Sequence, residues 1–401
     1  MEFILQHNYR ITVSGVLKDK RVLIIFLISF ISALGILAIV PGIPRIIRDF
    51  KVPTAKAQLI LSMYSLPGIF FCPLFGLLID RFDKKYFLFF SIFFYGLTGL
   101  LTVFVNSFHQ LLILRFLQGL NVSFLIILNI TMISDIENLG KRRKIFGMHA
   151  SILSLGGILW PIAGGFLANL DWHLSFYLFI LPLLLSFYTL TVKFSSDKRR
   201  INTNHHYFKE IIKIFKRNVN ILFTIVVIFL TYAIFFGSYL TYFPIYIDSF
   251  FSIDSSFIGI IMASTRIVAV IISAQLYHLN QYFSLKTLFN LFIGFYALAL
   301  IIIPVIDHSF LLFIPAMIWG CAHGIFLPLH NIFLTENITD QYKASIVSWG
   351  RVVNRAGQTI GPFMMGCIFS FSGIKSVFWI SALIWIFFLL FKWFCDNKRT
   401  S

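Results

Sequence analysis

The sequence is poor in charged residues. Asp, Glu, Lys and Arg make up 12% of the 401 residues, whereas hydrophobic residues make up 58%. Soluble domains carry about 25% charged residues, and a soluble globule of this size has no means of covering so much apolar surface. Disorder is excluded for the opposite reason, because it requires low hydrophobicity. The scarcity of charge therefore leaves an integral membrane protein, with the lipid bilayer as its surroundings.

Acidic residues are scarcer than basic ones, with 16 Asp and Glu against 33 Lys and Arg and a net charge of +17. All sixteen acidic residues fall in tails, loops or ends of the predicted helices. In a soluble chain the basic excess would favour nucleic-acid binding. In a membrane protein the same excess arises from basic loops on the cytoplasmic side, so we expect no nucleic-acid partner.

Residue patterns for metal binding and catalysis are also missing. The four cysteines lack the paired spacing of a zinc site and fit buried small residues. Neither the H-E-x-x-H nor the G-x-S-x-G pattern occurs, and no paired carboxylates are predicted inside the membrane. We therefore expect no metal, no cofactor and no enzymatic activity.

Long apolar runs dominate what is present. Each is long enough to cross about 30 Å of hydrocarbon as a helix, and none shows the alternation of a barrel strand. The fold class we predict is an all-α polytopic membrane protein with twelve transmembrane helices in two six-helix pseudo-repeats. In chain order, the segments are 22–44, 57–79, 86–106, 110–133, 145–168, 173–193, 219–246, 255–279, 287–306, 310–333, 345–371 and 376–394.

Basic residues are distributed unevenly between the two sides of this arrangement. Tails and loops on one side hold 24 of the 33 Lys and Arg residues, the opposite side holds 5, and four lie inside helices. Because basic loops stay on the cytoplasmic side, both termini are predicted to be cytoplasmic. We expect a multi-pass protein of the bacterial inner membrane.

The longest polar stretch divides the segments six and six. We predict an N-terminal bundle over 1–193, a cytoplasmic linker over 194–218 and a C-terminal bundle over 219–401. The linker fits either an interfacial amphipathic helix or a solvated basic loop. Helix breakers recur at an offset of 201 residues, as in Gly119 with Gly320 and Pro161 with Pro362. Tandem halves of this kind are typical of transporters that bind substrate near the midplane.

Two short motifs carry a family resemblance. The connection after the second segment resembles the conserved loop of the major facilitator superfamily, with Asp83 in place of a glycine. The fourth segment contains Arg115 and Gln118 before a glycine, which resembles the superfamily's R-x-x-Q-G motif. The resemblance implies that this arginine takes part in proton coupling or supplies charge to a cavity. The loop residues of the first motif are Gly76, Asp80, Arg81, Lys84 and Lys85.

Glycines and a proline recur in the fifth segment, at Gly147, Gly156, Pro161, Gly164 and Gly165. Glycines let helix backbones approach closely, and proline kinks a helix. The spacing resembles the antiporter motif of twelve-helix drug–proton antiporters of the bicyclomycin and chloramphenicol-resistance type, with Trp160 replacing one glycine. The eleventh segment carries a related set, namely Gly357, Gly361 and Pro362.

Basic and titratable side chains inside the predicted helices are the candidates for substrate binding or coupling. Arginine inside a membrane is costly and usually faces a cavity or a partner. The candidates are Arg115, Gln118, Arg266, His323, Arg351 and Arg355. Arg351 and Arg355 are four residues apart and share one helix face. A cavity lined by several arginines favours an anionic substrate, because arginine binds carboxylates bidentately.

The function we predict is secondary active transport by alternating access, as a proton-coupled exporter of a small organic molecule. An anionic carboxylate metabolite or a siderophore fits the arginines best. Two alternatives stay open, namely a multidrug efflux pump for neutral or cationic compounds and an importer of anions by symport or uniport. Protons are the expected coupling partner, through histidine or through Asp135 with Arg115, and the family resemblance implies a monomer.

Overall fold

The computed structural model describes residues 19–79, 84–192, 219–335 and 340–400. These residues form helices joined by short connections, and no strand occurs among them. The helices of the N-terminal half are α1 Lys20–Asp49, α2 Gln58–Ile79, α3 Lys84–Leu101, α4 Phe108–Ser134, α5 Leu139–Leu170 and α6 Leu174–Leu190. Those of the C-terminal half are α7 in three parts (Val219–Ile234, Phe235–Tyr242 and Phe243–Phe251), α8 Ser255–Tyr282, α9 Leu285–Ile302, α10 Phe313–Thr335, α11 over 340–372 and α12 over 374–400.

The all-α membrane fold is confirmed, and each predicted apolar segment is mostly helical in its described residues. Within the described residues, nine helices are long and apolar enough to cross a bilayer. That number counts α11 and α12 as one run, omits α2, and classes α6 as a shorter apolar helix. Twelve separate spans remain a prediction. The linker 194–218 lies outside the described residues.

Local breaks in the helices follow from sequence. Pro41 lies in a short 3-10 turn, Val40–Gly42, which interrupts α1, because a proline lacks the N–H that a continuous helix needs. The run from α11 into α12 is interrupted at Gly373, whose φ of 77° is accessible to glycine at little cost. The middle part of α7, Phe235–Tyr242, is a π-helix, and the Thr241 hydroxyl donates to the Phe236 carbonyl at 2.7 Å. Such segments are rare and are frequent at functional sites.

Glycines bring α5 against its neighbours. A Cβ built on Gly164 would lie 1.8 Å from the Ala38 carbonyl oxygen of α1, and one on Gly165 would lie 2.5 Å from the Ser255 carbonyl oxygen of α8. Trp160 donates from its indole nitrogen to the Phe30 carbonyl at 2.8 Å, so its bulk is accommodated against α1. Gly147 differs, because a Cβ there would meet no described atom within 4 Å. Most of this glycine set therefore serves close helix packing.

The two halves of the chain meet along two helix pairs, α5 with α8 and α2 with α11. We call the end of the bundle near residues 84–85 and 135–144 the basic end, and the other the opposite end. At the opposite end Arg48 of α1 forms an ion pair with Asp248 of α7. In α2, the Ser62 hydroxyl donates to the Thr359 carbonyl of α11 at 2.9 Å. These contacts close the cleft between the halves at the opposite end.

Ion pairs also organise the basic end. Lys84 at the start of α3 lies 2.7 Å from the Asp135 carboxylate at the end of α4. Asp19 caps α1 and accepts from Lys141 at 3.2 Å. Burial opposes ionisation of Asp19, but the hydrogen bond from Lys141 and the neighbouring Arg21 outweigh it, and the pKa of Asp19 lies below its ordinary value. These pairs hold α1, α3, α4 and α5 together at this end.

Candidate functional site

A small cavity of about 20 Å³ lies between the halves, where α1 and α5 face α7, α8 and α10. Leu37, Gly157 and Pro161 contribute the N-terminal wall, and aromatic residues of α7 contribute much of the other. Arg266 of α8 and His323 of α10 are the basic residues of its lining, and no described carboxylate lines it. The cavity is therefore basic and aromatic.

Arg266 is half-buried and reaches across to the N-terminal half. A Cβ built on Gly157 of α5 would lie 2.8 Å from the Arg266 Nε atom, so the absence of a side chain there makes room for the guanidinium. The phenols of Tyr232, Tyr296 and Tyr239 lie close enough to interact electrostatically with this cation. The cation is surrounded by hydroxyl groups and rings rather than by acids.

His323 is almost fully buried beside Arg266. Its Nδ1 atom lies 2.8 Å from the Tyr296 hydroxyl, and its ring centroid lies 4.9 Å from that of Phe235. Tyr239, in the π-helical part of α7, forms a hydrogen bond with Thr265 and stacks on Trp319 at 4.8 Å. These contacts fix the aromatic wall of the cavity.

The two arginines of α11 do not belong to the lining of this cavity, although Arg355 and Arg266 both interact electrostatically with Tyr232. Arg355 is half-buried, donates to the Gln358 amide oxygen at 3.0 Å, and packs against Gly68 of α2. Gln358 in turn donates to Asn354, which completes a polar row on this helix. Arg351 is exposed, one turn nearer the basic end. The row therefore extends from the contact between the halves toward the basic end.

Arg115 and Gln118 lie elsewhere, in the interior of the N-terminal half. The Arg115 side chain is fully buried and donates to the Gly35 carbonyl of α1 at 2.6 Å and to the Gln118 amide oxygen at 2.6 Å. It also donates to the Ile60 carbonyl of α2 at 3.4 Å and lies 4.5 Å from the centre of the Tyr64 ring. Neither residue belongs to the lining of the central cavity.

The remaining motif residues separate into two groups. Asp80 and Arg81 lie outside the described residues, and Gly76 is described only as part of α2. Gly357 and Gly361 of α11 approach α7 closely, since a Cβ on Gly361 would lie 2.2 Å from the Ala233 carbonyl oxygen. Pro362 follows inside α11.

One histidine, His149 of α5, was not among the candidates predicted from the sequence. Its Nδ1 atom lies 2.6 Å from the Ser29 hydroxyl of α1, and the Asn129 amide of α4 donates to the same hydroxyl at 3.0 Å. In the sequence it is a histidine inside an apolar segment, and the glycine motif around it was the more prominent pattern.

A polytopic helical protein with a polar cavity between two joined halves has the architecture of a membrane transporter. The sequence model of the Major Facilitator Superfamily matches residues 25–276 and 249–401. The chain belongs to the major facilitator superfamily. It is accordingly a multi-pass membrane transporter rather than an enzyme.

Relatives with curated names include resistance proteins. The chain is 24% identical to the tetracycline resistance protein, class H, of Pasteurella multocida over 95% of this chain and 98% of the relative. It is 25% identical to multidrug resistance protein 1 of Bacillus subtilis over 40% of this chain and 42% of that protein. The quinolone resistance protein NorA of Staphylococcus aureus is 23% identical over 40% and 41% of the two chains.

Solved transporters share the fold. A mutant of the nucleoside transporter NupG superposes with a TM-score of 0.79 at 14% identity, covering 92% of this chain and 98% of that chain. A bacterial homologue of the human lysosomal transporter Spinster, in an inward-facing and unoccupied conformation, gives a TM-score of 0.75 at 15% identity, with 92% and 94% covered.

Proposed function

We propose that the protein is a secondary exporter that exchanges small organic anions for protons by alternating access. The observation that carries the proposal is Arg266 in the lining of a cavity that no described carboxylate lines, with Arg355 of α11 near enough to interact with the same residue, Tyr232. Arginine binds carboxylates with two parallel hydrogen bonds, and the low dielectric of a cleft strengthens the attraction. A carboxylate metabolite or a siderophore fits this chemistry.

The proposal includes the topology. The basic end faces the cytoplasm of a bacterial cell, and the two six-helix halves rock about the cavity as a monomer. Support comes from the 24 basic residues on one side of the predicted spans. Arg115 and Gln118 then act as interior residues that keep α1, α2 and α4 together, while Arg266, His323, Arg351 and Arg355 meet substrate or protons.

A second candidate is efflux of neutral or cationic drugs. The names of the curated relatives favour it, since they include tetracycline, multidrug and quinolone resistance proteins. The aromatic wall built from Phe235, Tyr239 and Trp319 also suits a planar apolar compound. An importer of anions is a third candidate, because fold does not fix direction.

Transport by everted membrane vesicles separates these candidates. Vesicles acidified inside and loaded with a pH-sensitive dye receive carboxylates from acetate to citrate, tetracycline, or the lipophilic cation tetraphenylphosphonium. We expect a polycarboxylate to release protons from the vesicles. The variants R266Q and R351Q should raise the concentration needed for half the response about tenfold or more, because each removes charge-assisted hydrogen bonds.

The matched control is R143Q, which removes an exposed arginine at the basic end. It should leave the response to polycarboxylates unchanged. A response to tetraphenylphosphonium alone would refute the anion proposal. Movement of anion and protons in the same direction would indicate symport, which the inward proton gradient of a cell drives as import, so it would reverse the proposed direction.

A further inference from the structure

Three helices of the N-terminal half meet at a polar cluster on the basic-end side of the cavity. His149 of α5, Ser29 of α1 and Asn129 of α4 are joined by hydrogen bonds of 2.6 and 3.0 Å. Ser29 and Asn129 are fully buried, whereas the His149 ring is partly exposed. A polar cluster inside apolar helices is costly unless its groups are paired, so its chemistry points to a function.

The hydrogen bonds of the cluster meet the ring on one side only. The Ser29 oxygen lies 2.6 Å from the Ile25 carbonyl and 2.6 Å from Nδ1 of His149. The Asn129 amide nitrogen donates to the Ser29 oxygen and lies 3.4 Å from the same Nδ1 atom. These bonds all use Nδ1, and none of them uses Nε2, the second nitrogen of the ring.

A second observation in the cluster concerns the Asn129 side chain. The amide oxygen of Asn129 is buried and has no hydrogen-bond partner among the described residues. Buried acceptors are satisfied in nearly all proteins, and an unpaired one asks for a donor. An unpaired acceptor oxygen beside a titratable ring favours a proton donor or a cation bound next to that oxygen.

A cation of the other half interacts electrostatically with this cluster. Arg351 of α11 lies near enough for its charge to act on the His149 ring, whereas α1 and α4 contribute the uncharged Ser29 and Asn129. His149 and Arg351 are ten and eleven residues from the basic-end starts of their helices, about 15 Å of helix in each case. The two residues therefore lie about equally far along helices that belong to opposite halves.

We infer that His149 is the proton-binding residue of the transport cycle. A second proton on the imidazole ring gives His149 the same charge as Arg351, and repulsion between them opens the cleft at the basic end. An anion bound at Arg351 neutralises that charge and lets the basic end close. Proton and substrate thus push one equilibrium in opposite directions, as antiport requires. The inference rests on the proposed function for its proton coupling and its anionic substrate.

The test measures conformation and needs no substrate. Spin labels are attached at L139C and Y282C, two exposed positions at the basic ends of α5 and α8, after replacement of the native cysteines. Distances are measured by electron paramagnetic resonance in liposomes between about pH 8 and pH 5, where histidine titrates. We expect acidification to enrich the longer distance, H149Q to abolish that enrichment, and R351Q to abolish it as well.

The matched control is H278Q, which removes an exposed histidine of α8 and should keep the full pH response. An unchanged pH response in H149Q, or no response in the parent protein, would overturn the inference. If H149Q does not reconstitute, R351Q carries the same test, because a retained response there refutes the repulsion. If H149Q loses the pH response but the parent protein transports no anion in the vesicle experiment, the proposed substrate is rejected and the role of His149 is retained.

Discussion

Arg115 and Arg266 both lie inside apolar helices, but their surroundings differ. Arg115 is fully buried, and three acceptors on α1, α2 and α4 receive its hydrogen bonds. Arg266 is half-buried at a cavity between the halves and is surrounded by tyrosines. An intramembrane arginine is therefore a mark of function only when its donors remain available to a ligand. Arg115 joins helices within one half, whereas Arg266 faces the other half across the cavity.

The largest effect that separates the two arginines concerns folding. R115Q leaves the Gly35 and Ile60 carbonyls short of a donor in a buried site, and each unsatisfied group costs about 1–3 kcal/mol. We expect R115Q to lower the free energy of unfolding by about 3 kcal/mol. R266Q, which removes a half-buried side chain, should fold like the parent but need a concentration about tenfold or more higher for half the transport response. Thermal unfolding of detergent-solubilised protein and vesicle transport measure the two outcomes.

The comparison fails if both variants unfold at the same temperature as the parent. R115K provides a further check, because lysine keeps the charge but cannot reach three acceptors with one ammonium group. It should be nearly as unstable as R115Q if the hydrogen bonds, rather than the charge, are what matter.

An intermediate effect is expected where α5 makes room for Arg266. A Cβ at Gly157 would lie 2.8 Å from the Arg266 Nε atom, which belongs to a flexible side chain that can move. G157A should therefore fold normally but weaken anion transport several-fold, because the guanidinium is displaced from its place in the cavity. Vesicle transport measured against concentration gives the change.

Gly147 supplies the matched control on the same helix, since a Cβ there meets no described atom. G147A should be neutral or stabilise α5 slightly, because alanine favours the helix by up to about 1 kcal/mol over glycine. Equal losses of transport in G147A and G157A would show that helix flexibility, not the placement of Arg266, is the common cause.

Much of the fold could be predicted from the sequence because apolar length and basic loops respond to the membrane directly. The glycines of α5 were also informative, since Gly164 and Gly165 lie where backbones touch. The π-helical part of α7 was not predictable, because it depends on how α7 packs rather than on its own composition. A hydrophobic pattern specifies which residues avoid water and leaves the local hydrogen-bond register open.

The candidate site was predicted less completely. The arginines could be found because charge is rare in apolar segments, but their partners could not. Arg115 meets the carbonyl of Gly35, which is 80 positions away, and His149 meets Ser29 at a separation of 120 positions. Contacts between distant helices depend on helix rotation, which a single sequence does not report. The same limit explains why Arg115 and Arg266 looked alike before the structure was known.

The smallest effect concerns an exposed arginine, Arg48, which extends the comparison to the opposite end. Its ion pair with Asp248 joins α1 to α7 across the halves, but most of the Arg48 side chain is in solvent. Exposed pairs contribute about 0.2–1 kcal/mol and weaken with salt. R48Q, which only removes the pair, should therefore raise the population open at the opposite end by no more than about fivefold, and R48D by more, because it places two carboxylates together. Spin labels at the exposed positions F104C and F310C measure that population.

Charge exchange tests whether the pair itself acts. The double variant R48D/D248R restores the attraction with its direction reversed, so it should return the labelled distances to those of the parent. High salt should reduce the difference between parent and R48D, because screening removes an exposed attraction but not a packing contact. If the double variant behaves like R48D, closure at this end comes from other contacts between the helices, such as the hydrogen bond from the Ser62 hydroxyl to the Thr359 carbonyl. The exposed arginine then contributes nothing to the closure.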